Sequence, residues 1–236
     1  MSILLTAVLA IAPVDSYNLG NKYYQEGDYP AAIDAYNSTI SEVKASAVFY
    51  NLGNSFFKNG QIGKAILNYR RARFLYPRDT DTRYNLEFTR SYRADKFIFN
   101  QGPFERFLDI TLHWLSFVES FWLSIFSLIL LTVSISLFII HRRRSILYFS
   151  MITGSAFLFF IISFSVWQNE KSSKPVVVIV PEVSAYSGPG EEYKQIMLIH
   201  DGTEVLMKER RQKFALVQLP GGSGGWLPEE ALEAVY

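Results

Sequence analysis

The chain has 236 residues, and its 23 Lys and Arg nearly balance its 22 Asp and Glu, for a formal net charge of +1. That balance carries no electrostatic mark of a nucleic-acid binder, so nucleic acid is not among the expected partners. There is no cysteine, which excludes disulfides, thiol nucleophiles and thiolate metal sites and leaves the redox compartment open.

Residues 1–12 read as a signal sequence. An apolar run begins at Ile3, has the length of a signal-peptide core, and ends in Ala10-Ile11-Ala12, the small-x-small form of a cleavage site. No Lys or Arg precedes the run, and Pro13 follows it.

Residues 13–96 carry an internal repeat. Tyr17 to Asn21 reads YNLGN, Tyr50 to Asn54 reads YNLGN again, and Tyr84 to Phe88 reads YNLEF, at spacings of 33 and 34 residues. Tyr23-Tyr24 matches Phe56-Phe57, Gly27 matches Gly60, Ala32 matches Ala65, Tyr36 matches Tyr69, and Pro77 closes the second unit. Small Gly20, Gly53, Ala32 and Ala65 allow paired helices to approach closely, and Pro30 suits a first helical turn behind an Asp28 cap. A third first-helix is predicted from Asp79 to about Asp95, capping the stack because no partner helix follows it.

This period and these positions resemble the tetratricopeptide repeat. The resemblance implies a solenoid whose concave face binds an extended peptide or a partner helix. The groove residues it implies are Tyr17, Asn21, Tyr50, Asn51, Asn54, Tyr84 and Asn85. One subgroup of the family grips a C-terminal carboxylate. Asn21 and Asn51 fit its asparagine places, but Tyr17 and Asp81 stand where lysines belong and Asn85 where an arginine or lysine belongs, so the asparagines are expected to bond a peptide backbone instead. The competing reading for Asn18, Asn51 and Asn85 is hydrogen bonding inside the repeat. Asp15 to Phe57 holds five acidic and two basic residues, whereas Lys58 to Lys96 holds ten basic and four acidic. Such a basic half suits an acidic partner or membrane lipid headgroups; the alternative is a solvated helix face.

Residues 97–118 read as a linker and an amphipathic interfacial helix, with Phe104, Phe107, Leu108, Leu112 and Leu115 at helical spacing after Gly102-Pro103. The segment 119–167 contains two uncharged stretches, Phe121 to Ile140 with 20 residues and Ser145 to Val166 with 22. Both exceed the length of about 18 apolar residues that marks a transmembrane helix. Glu119 sits at the polar boundary of the first. The turn 141–144 carries Arg142, Arg143 and Arg144, which places it in the cytoplasm, while Trp114, Trp122 and Trp167 sit at the other ends as interfacial anchors. Both flanking segments are then expected in one outer compartment.

Residues 168–236 read as a small β domain. Val176 to Val180, Val183 to Tyr186, Ile196 to Ile199, Glu204 to Met207 and Phe214 to Leu219 are predicted strands, with turns at Ser187 to Gly190, His200 to Gly202 and Gly221 to Gly225. Gly188-Pro189, Leu198 to Val205, Phe214 to Val217 and Gly225-Trp226-Leu227-Pro228 resemble the bacterial SH3 domain, with Phe214 where tryptophan is usual. The resemblance implies a small barrel that binds peptides or cell-wall glycopeptides. Tyr186, Tyr193 and Trp226 are its ligand candidates, and Trp226 also fits the barrel core. The segment from Glu170 onwards has ten acidic and seven basic residues, which suits it to contact the basic half of the repeat segment.

His113, His141 and His200 form no ligand pair or nucleophile arrangement, and no phosphate-binding glycine motif occurs. No catalytic residue, metal ligand or cofactor is therefore expected, and the protein reads as a non-enzyme. The fold class is multidomain: an α-helical repeat solenoid, a two-helix transmembrane hairpin and a small all-β SH3-like barrel. That order of modules resembles the BatE-like family of the Bacteroides aerotolerance (Bat) operon, most tellingly at Tyr50 to Tyr69, Arg71-Ala72, Pro77-Arg78-Asp79 and Asn85-Leu86-Glu87. The resemblance implies a two-pass protein of the bacterial inner membrane with both soluble domains periplasmic. It further implies a scaffold for other Bat-type proteins, which carry von Willebrand A domains, and a MoxR-type ATPase in envelope stress or oxygen tolerance. The alternative is an envelope sensor or anchor whose SH3-like domain binds peptidoglycan or an extended peptide.

Overall fold

The computed structural model describes residues 2–96 and 102–236, with side chains described for 14–96 and 102–236. The side chains of the expected signal sequence and the linker residues 97–101 lie outside the described residues. The chain divides into two compact units, Met1–Phe99 with Ser173–Tyr236, and Asn100–Ser172.

The first unit begins with five helices, α1 (Ser2–Glu26), α2 (Tyr29–Glu42), α3 (Ser46–Lys58), α4 (Ile62–Leu75) and α5 (Thr80–Arg90), each packed on the next. Gly27 and Gly60 leave α1 and α3 at φ of 79° and 77°, a left-handed backbone that costs glycine nothing. The Asp28 carboxylate accepts the Ala31 N–H at 3.1 Å and caps α2, with proline in its first turn. Within each pair the glycine is a steric necessity. A Cβ on Gly20 would stand 2.6 Å from the Tyr36 ring, and one on Gly53 would stand 2.8 Å from the Tyr69 ring. The core runs from Ala32, Tyr36 and Val48 through Ala65, Ile66 and Tyr69 to Leu86, and it takes in Val177 and Val235 from the end of the chain.

Seven strands follow: β1 (Pro175–Val178), β2 (Glu182–Tyr186), β3 (Gln195–His200), β4 (Glu204–Arg211), β5 (Phe214–Gln218), β6 (Gly224–Pro228) and β7 (Leu232–Ala234). They form one antiparallel sheet in the order β3-β2-β6-β5-β4-β1-β7. Two of these strands escape the sequence pattern. Gly224 and Gly225, expected in a turn, pair with Gln218 and Val217 as the start of β6. A Cβ on Gly224 would fall 2.1 Å from the Val217 carbonyl oxygen, so glycine here marks close backbone approach inside a sheet rather than its interruption. The last strand, β7, is only three residues long and pairs with β1. The helix expected to reach about Asp95 stops at Arg90. Its continuation is drawn off by the sheet: the Asp95 carboxylate accepts the His200 N–H at 2.8 Å and the Thr203 hydroxyl at 2.7 Å.

The second unit holds α6 (Pro103–Leu112), α7 (Phe117–His141) and α8 (Arg144–Ser172). The latter two are long and apolar enough to cross a membrane. Ser116 and Glu119 start α7 with a reciprocal cap: the Glu119 carboxylate accepts the Ser116 N–H at 2.9 Å, and Ser116 Oγ accepts the Glu119 N–H at 3.3 Å. The arginine turn narrows to Arg142 and Arg143, with Arg142 at a left-handed φ of 52°. The second apolar helix continues past Trp167 to Ser172. Packing between these two helices uses hydroxyls. Ser120, Ser124, Ser127 and Ser134 of α7 are buried with Ser150, Thr153 and Ser163 of α8, whereas Trp122, Phe126, Ile139, Ile140, Met151 and Ile152 are exposed. Ser120 Oγ lies 2.9 Å from Ser163 Oγ, and Ser163 Oγ donates to the Leu112 carbonyl at 2.6 Å. The Trp167 indole donates to the Leu115 carbonyl at 2.8 Å and receives the His113 ring edge-to-face at 4.5 Å.

Candidate partner-binding surfaces

The asparagines and tyrosines of the repeat form a hydrogen-bond ladder that recurs from one unit to the next. In the first unit, Tyr36 Oη donates to Asn21 Oδ1 at 2.7 Å, and Asn51 Nδ2 donates to Tyr17 Oη and Asn21 Oδ1, both at 3.0 Å. In the second, Tyr69 Oη donates to Asn54 Oδ1 at 2.6 Å, while Asn85 Nδ2 reaches Tyr50 Oη at 3.1 Å and Asn54 Oδ1 at 3.0 Å. The ring pairs repeat as well: Tyr17 with Tyr36 at 5.9 Å and Tyr50 with Tyr69 at 6.0 Å, both at 54°. Burial pushes the Tyr36 and Tyr69 hydroxyls above the usual phenol range, helped by Tyr17 and Tyr50 respectively. Six of the seven groove residues thus bond one another, and their amides join neighbouring units.

Tyr84, the seventh, is in a different position. At the place of Asn21 and Asn54 the third unit has Phe88, and at the place of Gly20 and Gly53 it has Glu87. Among the described residues no tyrosine from a following helix closes over Tyr84, which is 68% exposed. It stacks on Phe88 at 6.1 Å and 9°, and Phe88 meets Tyr92 at 5.2 Å and Phe57 at 5.7 Å. Phe88 and Tyr92 are also exposed. The result is a terrace of rings at the end of the ladder. Phe57, Phe88 and Tyr92 were not candidates from the repeat pattern; the signal for two of them was the four-residue spacing of Tyr84, Phe88 and Tyr92 on one helical face.

Part of the basic half is committed within the chain. The Glu204 carboxylate of β4 accepts from Arg90 Nη2 and Nε, both at 2.8 Å, from Arg93 Nη1 at 3.1 Å and from Arg70 Nη1 at 3.2 Å. Burial alone would raise its pKa; the charge and bidentate hydrogen bonds of Arg90, then Arg70 and Arg93, outweigh this and lower it to about 2. Arg71 donates to the Ala234 and Val235 carbonyls at 2.7 and 3.2 Å and pairs with Glu233 at 3.0 Å. Asp201 sits against the first amides of α4, where burial raises its pKa against the lowering effect of the Gly63 and Ile62 N–H groups. The Asp95 carboxyl is desolvated too, but bonds from His200 and Thr203 bring its pKa below the usual range.

On the sheet, Tyr186 and Trp226 are brought together as register partners, and Tyr186 meets Phe214 edge-on at 6.2 Å. Trp226 is only 8% exposed, with the Arg211 guanidinium 5.7 Å over its ring. Tyr193 is 45% exposed and packs on Gly188, where a Cβ would fall 2.3 Å from its ring. Arg142, Arg143 and Arg144 are all exposed. Among the described residues, no group of three or more His, Cys, Asp or Glu is arranged to hold a metal ion. No known family model matches the chain, and no curated protein matches it as a relative.

Proposed function

We propose that this chain is a non-catalytic scaffold anchored in the bacterial inner membrane, in which tetratricopeptide-type repeats capture a partner protein beside a bacterial SH3-like domain. The observation that carries this reading is the terrace in which the exposed rings of Tyr84, Phe88 and Tyr92 adjoin the half-buried Phe57 at the end of the hydrogen-bond ladder. Rigid rings supply large contact area at low entropy cost, which is why such residues dominate interface energetics. The partner class is a membrane or periplasmic protein of the Bat type with a von Willebrand A domain, as the family resemblance implies. The SH3-like segment serves as a structural wall of the scaffold, in keeping with the burial of Trp226.

The placement of both soluble segments outside the cytoplasm is supported in two ways. Three arginines lie at the turn between the apolar helices. The segments before and after those helices also belong to one compact unit, which fits a shared compartment and two crossings between them. A reporter active only outside the cytoplasm is expected to work after Tyr236 and to fail at Arg143; the opposite pattern would overturn the orientation.

The scaffold is tested with the full chain in detergent and the von Willebrand A domain of a Bat-type partner as probe. Replacing Tyr84, Phe88 and Tyr92 together by alanine is expected to weaken binding at least about tenfold, as loss of clustered aromatic anchors does. Unchanged binding by a folded variant would sink the assignment of the terrace as the capture surface. Retention of cell-wall fragments that depends on Tyr193 would favour the sensor or anchor instead.

A further inference from the structure

The scaffold reading leaves the far end of the hairpin without a role. There Arg142, Arg143 and Arg144 are exposed, and among the described residues none of them has a carboxylate partner. Beside them the surfaces of α7 and α8 part to leave an open apolar cavity of about 220 Å³, walled by Val133 and Leu137 from one helix and Ile146 and Phe149 from the other. Ser145, the residue after Arg144, also lines it. An apolar groove and a cluster of unpaired guanidinium groups therefore adjoin on one short stretch of chain.

We propose that this end of the hairpin is a binding site for one anionic phospholipid, with the phosphate held by the arginine turn and an acyl chain lying in the groove. The site rests on the membrane-spanning reading of α7 and α8. In a bilayer, acyl chains are the medium that covers a groove on these helices. Guanidinium groups offer forked donors that match phosphate oxygens, which a compact ammonium does not. The two parts do different work. Lipid tails are as apolar as the leucines they touch, so the groove adds packing without a hydrophobic gain and serves to localise the chain. Discrimination among lipids falls to the arginines, at about 1 kcal/mol or roughly fivefold per residue near the surface.

The test uses the purified full chain in detergent micelles with equimolar phosphatidylglycerol and phosphatidylcholine, reading bound lipid by native mass spectrometry. The phosphatidylglycerol adduct is expected to exceed the phosphatidylcholine adduct by at least about fivefold. Changing Arg142→Gln, Arg143→Gln and Arg144→Gln together is expected to equalise them. Val133→Trp, which fills the groove and leaves every charge in place, is expected to reduce the phosphatidylglycerol adduct without involving the turn. Equal adducts in the unaltered chain, displacement of the lipid by excess inorganic phosphate, or no effect of Val133→Trp would each overturn the site. A chain that stays monodisperse in water without detergent would overturn the membrane reading itself, whereas a detergent-requiring chain with equal adducts would overturn the lipid site alone.

Discussion

The two units of this molecule hide opposite kinds of residue. In the first, Ile66, Leu67, Val176, Val177 and Leu227 are fully buried, and the charged groups within it are joined across helix and sheet. In the second, Phe, Leu and Ile side chains of α7 and α8 face outwards while serines and a threonine line their contact. Helix geometry is the same in both; the surroundings each surface suits differ. Water drives methyl groups inwards and tolerates ions only if they are paired, whereas a hydrocarbon surrounding gives no reward for burying leucine and leaves small residues to bring backbones together.

The sharpest way to break this contrast is at Glu204, where the first unit departs furthest from an apolar interior. Glu204→Gln leaves Arg70, Arg90 and Arg93 without their shared counter-ion, and the expected loss is about 3–5 kcal/mol, the usual result of removing one partner of a buried ion pair. The far-ultraviolet helical signal and the near-ultraviolet aromatic signal are expected to fall together on heating. Separate transitions would show that the repeat and the sheet fold independently. Acid titrates the same joint. A carboxylate whose folded-state pKa is depressed stabilises the fold above its unfolded value, 4.5 for Glu204, and loses that contribution as the pH falls towards about 2. A shift of this size corresponds to about 3 kcal/mol, so stability measured by denaturant should decline across that window and do so far less in Glu204→Gln.

How far the sequence disclosed this follows from the range over which each feature is encoded. The repeat, the apolar spans and five of the strands are local patterns, and local periodicity displays them. The joint is not local: Glu204 lies 134, 114 and 111 residues from Arg70, Arg90 and Arg93. Only the opposite charge of the two segments hinted at it. The end of α5 was illegible for the same reason, since the competitor for its last turn is a strand turn more than 100 residues away. At the candidate site the pattern found Tyr84 by its register with Tyr17 and Tyr50, but it passed over Phe88. There the departure from asparagine marks where the ladder stops and the exposed rings begin.

A smaller effect sharpens the comparison through glycine. Gly53→Ala puts a methyl 2.8 Å from the Tyr69 ring, which is buried and tied at its hydroxyl to Asn54 and so has nowhere to move. Overpacking of this kind costs about 1–3 kcal/mol, which exceeds the gain of up to about 1 kcal/mol in helix propensity. In the hairpin, Gly154→Ala meets only Leu131 Cδ1 at 3.6 Å, an ordinary contact. It should therefore cost nothing and raise helix stability slightly. Chemical denaturation of the first variant and detergent-driven unfolding of the second would read the two signs; equal losses would erase the distinction between the interiors.

The smallest expected effect lies in the hydroxyl seam. Ser120 is fully buried and faces Ser163 at 2.9 Å, yet Ser163 also donates to the Leu112 carbonyl, so Ser120→Ala leaves its partner bonded. On the membrane-spanning reading, a separated helix of the pair can turn its serine hydroxyls back onto its own carbonyls, as Ser124 and Ser127 already do here. The reference state then loses little, and about 0.6 kcal/mol is the expected cost. Ser120→Leu is a different perturbation, because the position has no exposed surface and a larger side chain must push the helices apart. Unfolding in mixed micelles should therefore rank leucine well above alanine in damage. The reverse ranking, with leucine tolerated and alanine costly, would mean that the interior selects for apolar contact as a water-facing domain does, and the two units would no longer differ in kind.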